Sequence, residues 1–103
     1  MPSSPSSQRT LQETKTSLPP GEVLARAKQF FTRRSSLYAT FLEREGPNYV
    51  TFRGQGGEEI VIGVRTLDSG TGVTGSTYLF DMQIARFFAT LPPYPVAAEA
   101  LPA

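Results

Sequence analysis

The chain contains no cysteine, no histidine and no tryptophan. Without cysteine there is no disulfide, no thiolate nucleophile and no cysteine-ligated zinc or iron–sulfur site. Without histidine the usual general base near neutral pH is missing, together with the commonest metal ligand. A Ser-His-Asp triad within one chain is therefore excluded. Charge is scarce as well: ten Lys and Arg stand against nine Asp and Glu, a net +1 over 103 residues. Binding to a polyanion needs a surplus of cations to neutralise phosphates, so nucleic acid is not an expected partner. No apolar run approaches the ~20 residues that span a bilayer, so no membrane span is expected either.

What remains is a short chain for one domain, with 39% apolar residues and nine each of glycine and proline. Residues 1–19, MPSSPSSQRTLQETKTSLP, hold only two leucines among serine, threonine, proline and glutamine. Such a stretch buries too little apolar surface to offset its ordering entropy and is expected to be a disordered arm. It has no apolar h-region, so no secretory signal is expected and a cytoplasmic setting is. At the other end PPYPVAAEALPA loses amide donors to Pro92, Pro93, Pro95 and Pro102, and residues 94–103 are expected to form a second disordered tail. Residues 20–93 then form the single domain. A domain of that size buries only about 60% of its unfolded surface, which favours a homo-oligomer or a protein partner.

Pro19-Pro20-Gly21-Glu22 opens a helix, because proline fits the first turn and Glu22 complements the positive end of the dipole. Val23, Ala27, Phe30 and Phe31 form its apolar stripe, and Arg33-Arg34 with Ser35-Ser36 mark its end. Residues 37–45 fit either a continuation of that helix or a strand, and the β-favouring Tyr38, Thr40 and Phe41 tip the balance to a strand. Gly46-Pro47-Asn48 turns into Tyr49–Arg53, and Gly54-Gln55-Gly56-Gly57 turns into a strand over Glu59–Arg65. A turn at Asp68–Gly72 then leads to a strand over Val73–Phe80. Asp81 caps a last helix over Met82–Leu91, ended by Pro92-Pro93. The fold class is α+β: a helix, a three- or four-stranded antiparallel meander, and a short C-terminal helix, with both helices on one face of the sheet.

Alternation assigns two faces. Val50, Phe52, Ile60, Ile62 and Val64 belong to the core side. Tyr49, Thr51, Arg53, Val61, Gly63 and Arg65 belong to the other. Tyr49, Arg53, Val61 and Arg65 are the candidate interface, in competition with a plain solvated face. Aromatic and arginine side chains on an open sheet also stack bases in single-strand RNA binders, but here the cation count opposes it. On the core side Phe30, Phe31, Phe52, Ile62, Phe80, Phe87 and Phe88 line an apolar ligand cleft if the helices stand off the sheet, and otherwise fill one another's space.

The remaining motifs are weak. Gly70-Thr71-Gly72-Val73-Thr74-Gly75 matches G-x-G-x-x-G, but a dinucleotide site needs a helix after it and STYLFD reads as strand, so turn glycines are expected. The 54–57 glycines form an anion nest only if Glu58 and Glu59 do not repel the anion; a hairpin turn is the expectation. Glu58, Glu59, Asp68 and Asp81 lack the pairing that acid–base or metal chemistry requires, and neither a catalytic site nor a cofactor is expected. Leu91-Pro92-Pro93-Tyr94 matches the short peptides bound by WW modules, a match that chance supplies often.

PPGEVLARAKQFF, the paired strands and FDMQIARFFATLPP together resemble the START-like helix-grip domains (the SRPBCC superfamily). The resemblance covers residues 19–93 and rests on element order and the helix opening. It implies a curved antiparallel sheet gripped by helices around an apolar small molecule, although this chain has fewer strands and a shorter closing helix. The leading expectation is a small non-catalytic accessory or self-associating module. The alternative is a reduced helix-grip domain that binds an apolar small molecule.

Overall fold

Proline opens the first helix as the sequence predicts. The Pro19 carbonyl accepts the amides of Glu22 and Val23 at 3.0 and 3.2 Å, and Pro20 spends no donor in the first turn. In the computed structural model, which describes residues 10–32, 40–54, 59–77 and 81–95, this helix is α1, Pro20–Phe31. Strand β1 (Thr10–Thr16) precedes it. Strands β2 (Thr40–Glu45), β3 (Tyr49–Gly54), β4 (Glu59–Leu67) and β5 (Gly70–Thr77) follow, and α2 (Asp81–Ala89) closes the order. The fold is α+β, and no helix among the described residues is long and apolar enough to cross a membrane.

The sheet has five strands in the order β1-β5-β4-β3-β2, every neighbouring pair antiparallel. Three or four strands were expected, and the difference comes from the arm. Residues 10–16 of the stretch read as disordered pair with β5 along its whole length, Thr10 opposite Thr77 and Thr16 opposite Thr71. The arm therefore contributes an edge strand, and α1 carries the chain from that edge to the opposite one. The ambiguous stretch resolves to strand from Thr40 onward. Its first residues, 37–39, lie outside the described residues, as do Arg33, Arg34, Gln55, Glu58 and Phe80.

The core lies between the sheet and the two helices, with α1 over β3 and β4 and α2 over β1 and β5. Val23, Leu24, Ala27 and Phe31 of α1 and Ile84 and Phe87 of α2 are buried against Val50, Phe52, Ile60, Ile62, Val64 and Val73. Leu24 joins the expected stripe, while Phe30 is only partly buried.

The G-x-G-x-x-G stretch is not a turn. Asp68-Ser69 alone makes the hairpin, Leu67 pairs with Gly70, and all three glycines sit inside β5. Close packing explains two of them. A side chain at Gly70 would run into the backbone carbonyl of Thr16, and one at Gly75 would approach Cγ2 of Ile84 to 2.6 Å. The proline-tyrosine segment is likewise part of the fold. Pro93 bridges to Thr16, and the Tyr94 hydroxyl accepts the Ser69 amide at 3.2 Å. Residues 94 and 95, expected in the disordered tail, thus belong to the described structure.

Candidate functional site

Both helices cover the same side of the sheet, which leaves the other side without a layer among the described residues. The registers place its side chains in rows across the strands. Phe41, Arg53 and Glu59 share one row. Arg44, Thr51, Val61, Ser76 and Leu11 make the next. Tyr49, Gly63, Thr74 and Glu13 follow, and then Arg65, Gly72 and Lys15. All four candidate interface residues, Tyr49, Arg53, Val61 and Arg65, therefore lie on one face, as alternation along β3 and β4 requires.

The two ends of this face differ in charge and are built differently. At one end Arg53 closes on Glu43 with a fork, its Nε at 3.2 Å from Oε2 and a terminal nitrogen at 2.9 Å from Oε1. Glu43 reaches it because a register irregularity between Leu42 and Arg44 brings an extra residue to this side of β2. Glu59 stands 3.7 Å from the same guanidinium, so two carboxylates share one arginine here. At the other end Arg65 and Lys15 flank Gly72, and Nε of Arg65 lies 3.1 Å from where a Gly72 side chain would begin. A cavity of about 210 Å³, open to solvent, lies beside Gly72, lined in part by Glu13, Lys15, Arg65 and Thr74. The Lys15 ammonium also lies 5.5 Å from the Tyr94 ring centre, within cation–π range.

Between these ends the three middle strands present a neutral surface. Thr51, Val61, Gly63, Thr74 and Ser76 fill its centre, and Tyr49 lays its ring against Gly46 of the preceding turn. Leu11 and Phe41, 63% and 56% exposed, stand on its two outer strands. The sequence reading missed Leu11, Glu13 and Lys15 because it counted β1 as disordered.

The residues proposed to line an apolar cleft pack on one another instead. Phe31 lies 5.1 Å from Phe52 and 5.3 Å from Phe87, centre to centre, and Phe30 lies 5.0 Å from Phe31. Phe52 and Ile62 are wholly buried, and Phe88 packs on the rim of the same cluster. Phe80 lies outside the described residues. Among the described acids, Glu59 is on the open face, Asp68 is in the hairpin turn, and Asp81 starts α2 with its carboxylate accepting the Thr10 hydroxyl at 2.6 Å. No group of three or more acids gathers closely enough to hold a metal ion among the described residues. No family model matches this chain, and neither does any curated protein or solved structure.

Proposed function

We propose that the chain is a non-catalytic interaction module that associates with itself through the open face of its sheet. The observation that carries this reading is the asymmetry of the sheet: two helices bury one side, while five strands present the other with Leu11 and Phe41 exposed on it. A sheet side that carries apolar and aromatic groups gains by being covered. A small domain with few core residues gains further by sharing burial with a second copy. The helix-grip alternative requires room between helices and sheet, where Phe31, Phe52 and Phe87 rings now stand 5.1–5.3 Å apart. That packing favours the face over the interior as the working surface.

Native mass spectrometry of the untagged protein at two concentrations tests the reading. A dimer whose share grows with concentration, and which Val61→Arg and Tyr49→Glu abolish while the fold stays intact, is the expected result. A monomer at every concentration refutes self-association. A monomer that retains a small apolar molecule, lost on Phe30→Ala, would restore the helix-grip reading.

A further inference from the structure

The charges on the open face specify how two copies meet, an inference that rests on the self-association reading above. Strand β4 lies in the middle of the five-strand order and carries Glu59 at one end of the face and Arg65 at the other. At about 3.3 Å per residue the two are ~20 Å apart. Glu59 belongs to the end where two carboxylates share Arg53, and Arg65 to the end where it and Lys15 border the cavity over Gly72. Among the described residues Arg65 is exposed and joins no ion pair.

Two sheets stacked face to face by a two-fold axis, β4 upon β4, have two simple arrangements. An axis running along the strands sets Arg65 over Arg65 and Glu59 over Glu59, and like charges oppose it. An axis running across the strands, level with Ile62, reverses one β4 on the other. It sets Arg65 over Glu59 twice, once at each end, and Val61 over Gly63 twice between them. We infer that the occupant of the open face is a second copy of this chain in this transverse arrangement, with the Glu59 carboxylate received at the Arg65 end beside the cavity. The interface is isologous, as a closed dimer requires. On edge strand β1 the same axis sets Leu11 of one copy over Glu13 of the other, and Arg44 sits on edge strand β2; both edge strands lie two strands, or about 10 Å, to the side of the Arg65–Glu59 contacts.

The size of the face sets the strength. Five strands at about 4.8 Å and a length of ~20 Å give roughly 500 Å² per copy in projection, near 1,000 Å² in total. That lies at the lower limit of specific interfaces, so the dimer forms and dissociates readily.

Charge reversal tests the geometry. Arg65→Glu alone opposes two carboxylates at both ends, and Glu59→Arg alone opposes two guanidinium groups. Each variant is expected to weaken dimerisation by about tenfold or more in sedimentation velocity at low salt, with an unchanged circular dichroism spectrum. Mixed in equal amounts, the two variants regain attraction at both ends and form a heterodimer, visible by mass in native spectra. The combined R65E/E59R protein dimerises like the parent. A parent dimer broken by Val61→Arg whose affinity ignores the charge reversals, or a mixture that fails to pair, overturns the transverse arrangement and leaves the face reading standing. A parent protein that is always monomeric overturns both. A monomer whose Lys15 and Arg65 signals respond to inorganic phosphate or acetate overturns the inference in favour of a small-anion site at the cavity.

Discussion

The two halves of the sheet's covered side are held by different forces. On β3 and β4 the inward residues are Val50, Phe52, Ile60, Ile62 and Val64, all buried and all apolar. On β1 and β5 they include Thr16, Thr71 and Thr77, each 0% exposed, together with Gly75. The first half is stabilised by removing hydrocarbon from water, which is strong and indifferent to direction. The second half depends on hydroxyls that must each find an acceptor. Thr16 donates to the Pro92 carbonyl and Thr71 to the Leu18 carbonyl, both at 2.6 Å. These two bonds tie β1, β5, the connection before α1 and the segment after α2 into one corner. An edge strand with almost no apolar content is thus retained by a few directional bonds and by glycines that let backbones close up. The two halves are expected to fail differently.

The largest effect is expected at Phe52, which touches Phe31 at 5.1 Å and is wholly buried. Phe52→Ala should cost about 3–5 kcal/mol. That is most of the stability of a domain this small, so urea unfolding should find little native protein. Next comes Gly70→Ala, whose new methyl meets the Thr16 carbonyl, a backbone atom that moves only if β1 moves. A loss of ~1–3 kcal/mol is expected, and hydrogen exchange should show protection lost first along β1 while β3 and β4 keep theirs. Uniform loss across all five strands would erase the distinction between the halves.

Thr16→Val and Thr71→Val keep the shape of the side chain and leave a carbonyl without its donor. Each should cost about 1–2 kcal/mol, read from the denaturation midpoint. The two should be non-additive because both bonds hold one corner. The smallest effect belongs to the exposed Lys28–Glu45 pair at 2.8 Å, which joins α1 to the other edge strand. Lys28→Ala should change stability by no more than ~0.5 kcal/mol, and added salt should remove even that.

This contrast also explains what the sequence made legible. Glu59–Arg65 and Tyr49–Arg53 announce themselves by β-branched and aromatic alternation, and both helices by capping prolines and apolar spacing, so the apolar half and the open-face set Tyr49, Arg53, Val61 and Arg65 follow from pattern alone. Strand β1 does not, because TLQETKT carries its inward positions as threonine and glutamine. Hydropathy scores such residues as loop, and burial of Thr16 is favourable because its hydroxyl reaches the carbonyl of Pro92, distant in sequence. The glycines of β5 misled for a related reason. They read as turn residues, yet Gly75 and Gly70 are needed where Ile84 and the Thr16 backbone come close. The basic end of the open face was invisible without β1, since Lys15 and Arg65 meet across Gly72 only through pairing.

The central claim, that the uncovered side of the sheet is the working surface and a second copy its occupant, is tested most directly by dilution followed with two-dimensional amide NMR. The account predicts that amide signals of Thr51, Val61, Thr74 and Ser76 shift together as concentration falls, while those of Ala27 in α1 and Ile84 in α2 stay in place. Shifts confined to the helices, or a spectrum unchanged over the whole concentration range, would contradict it.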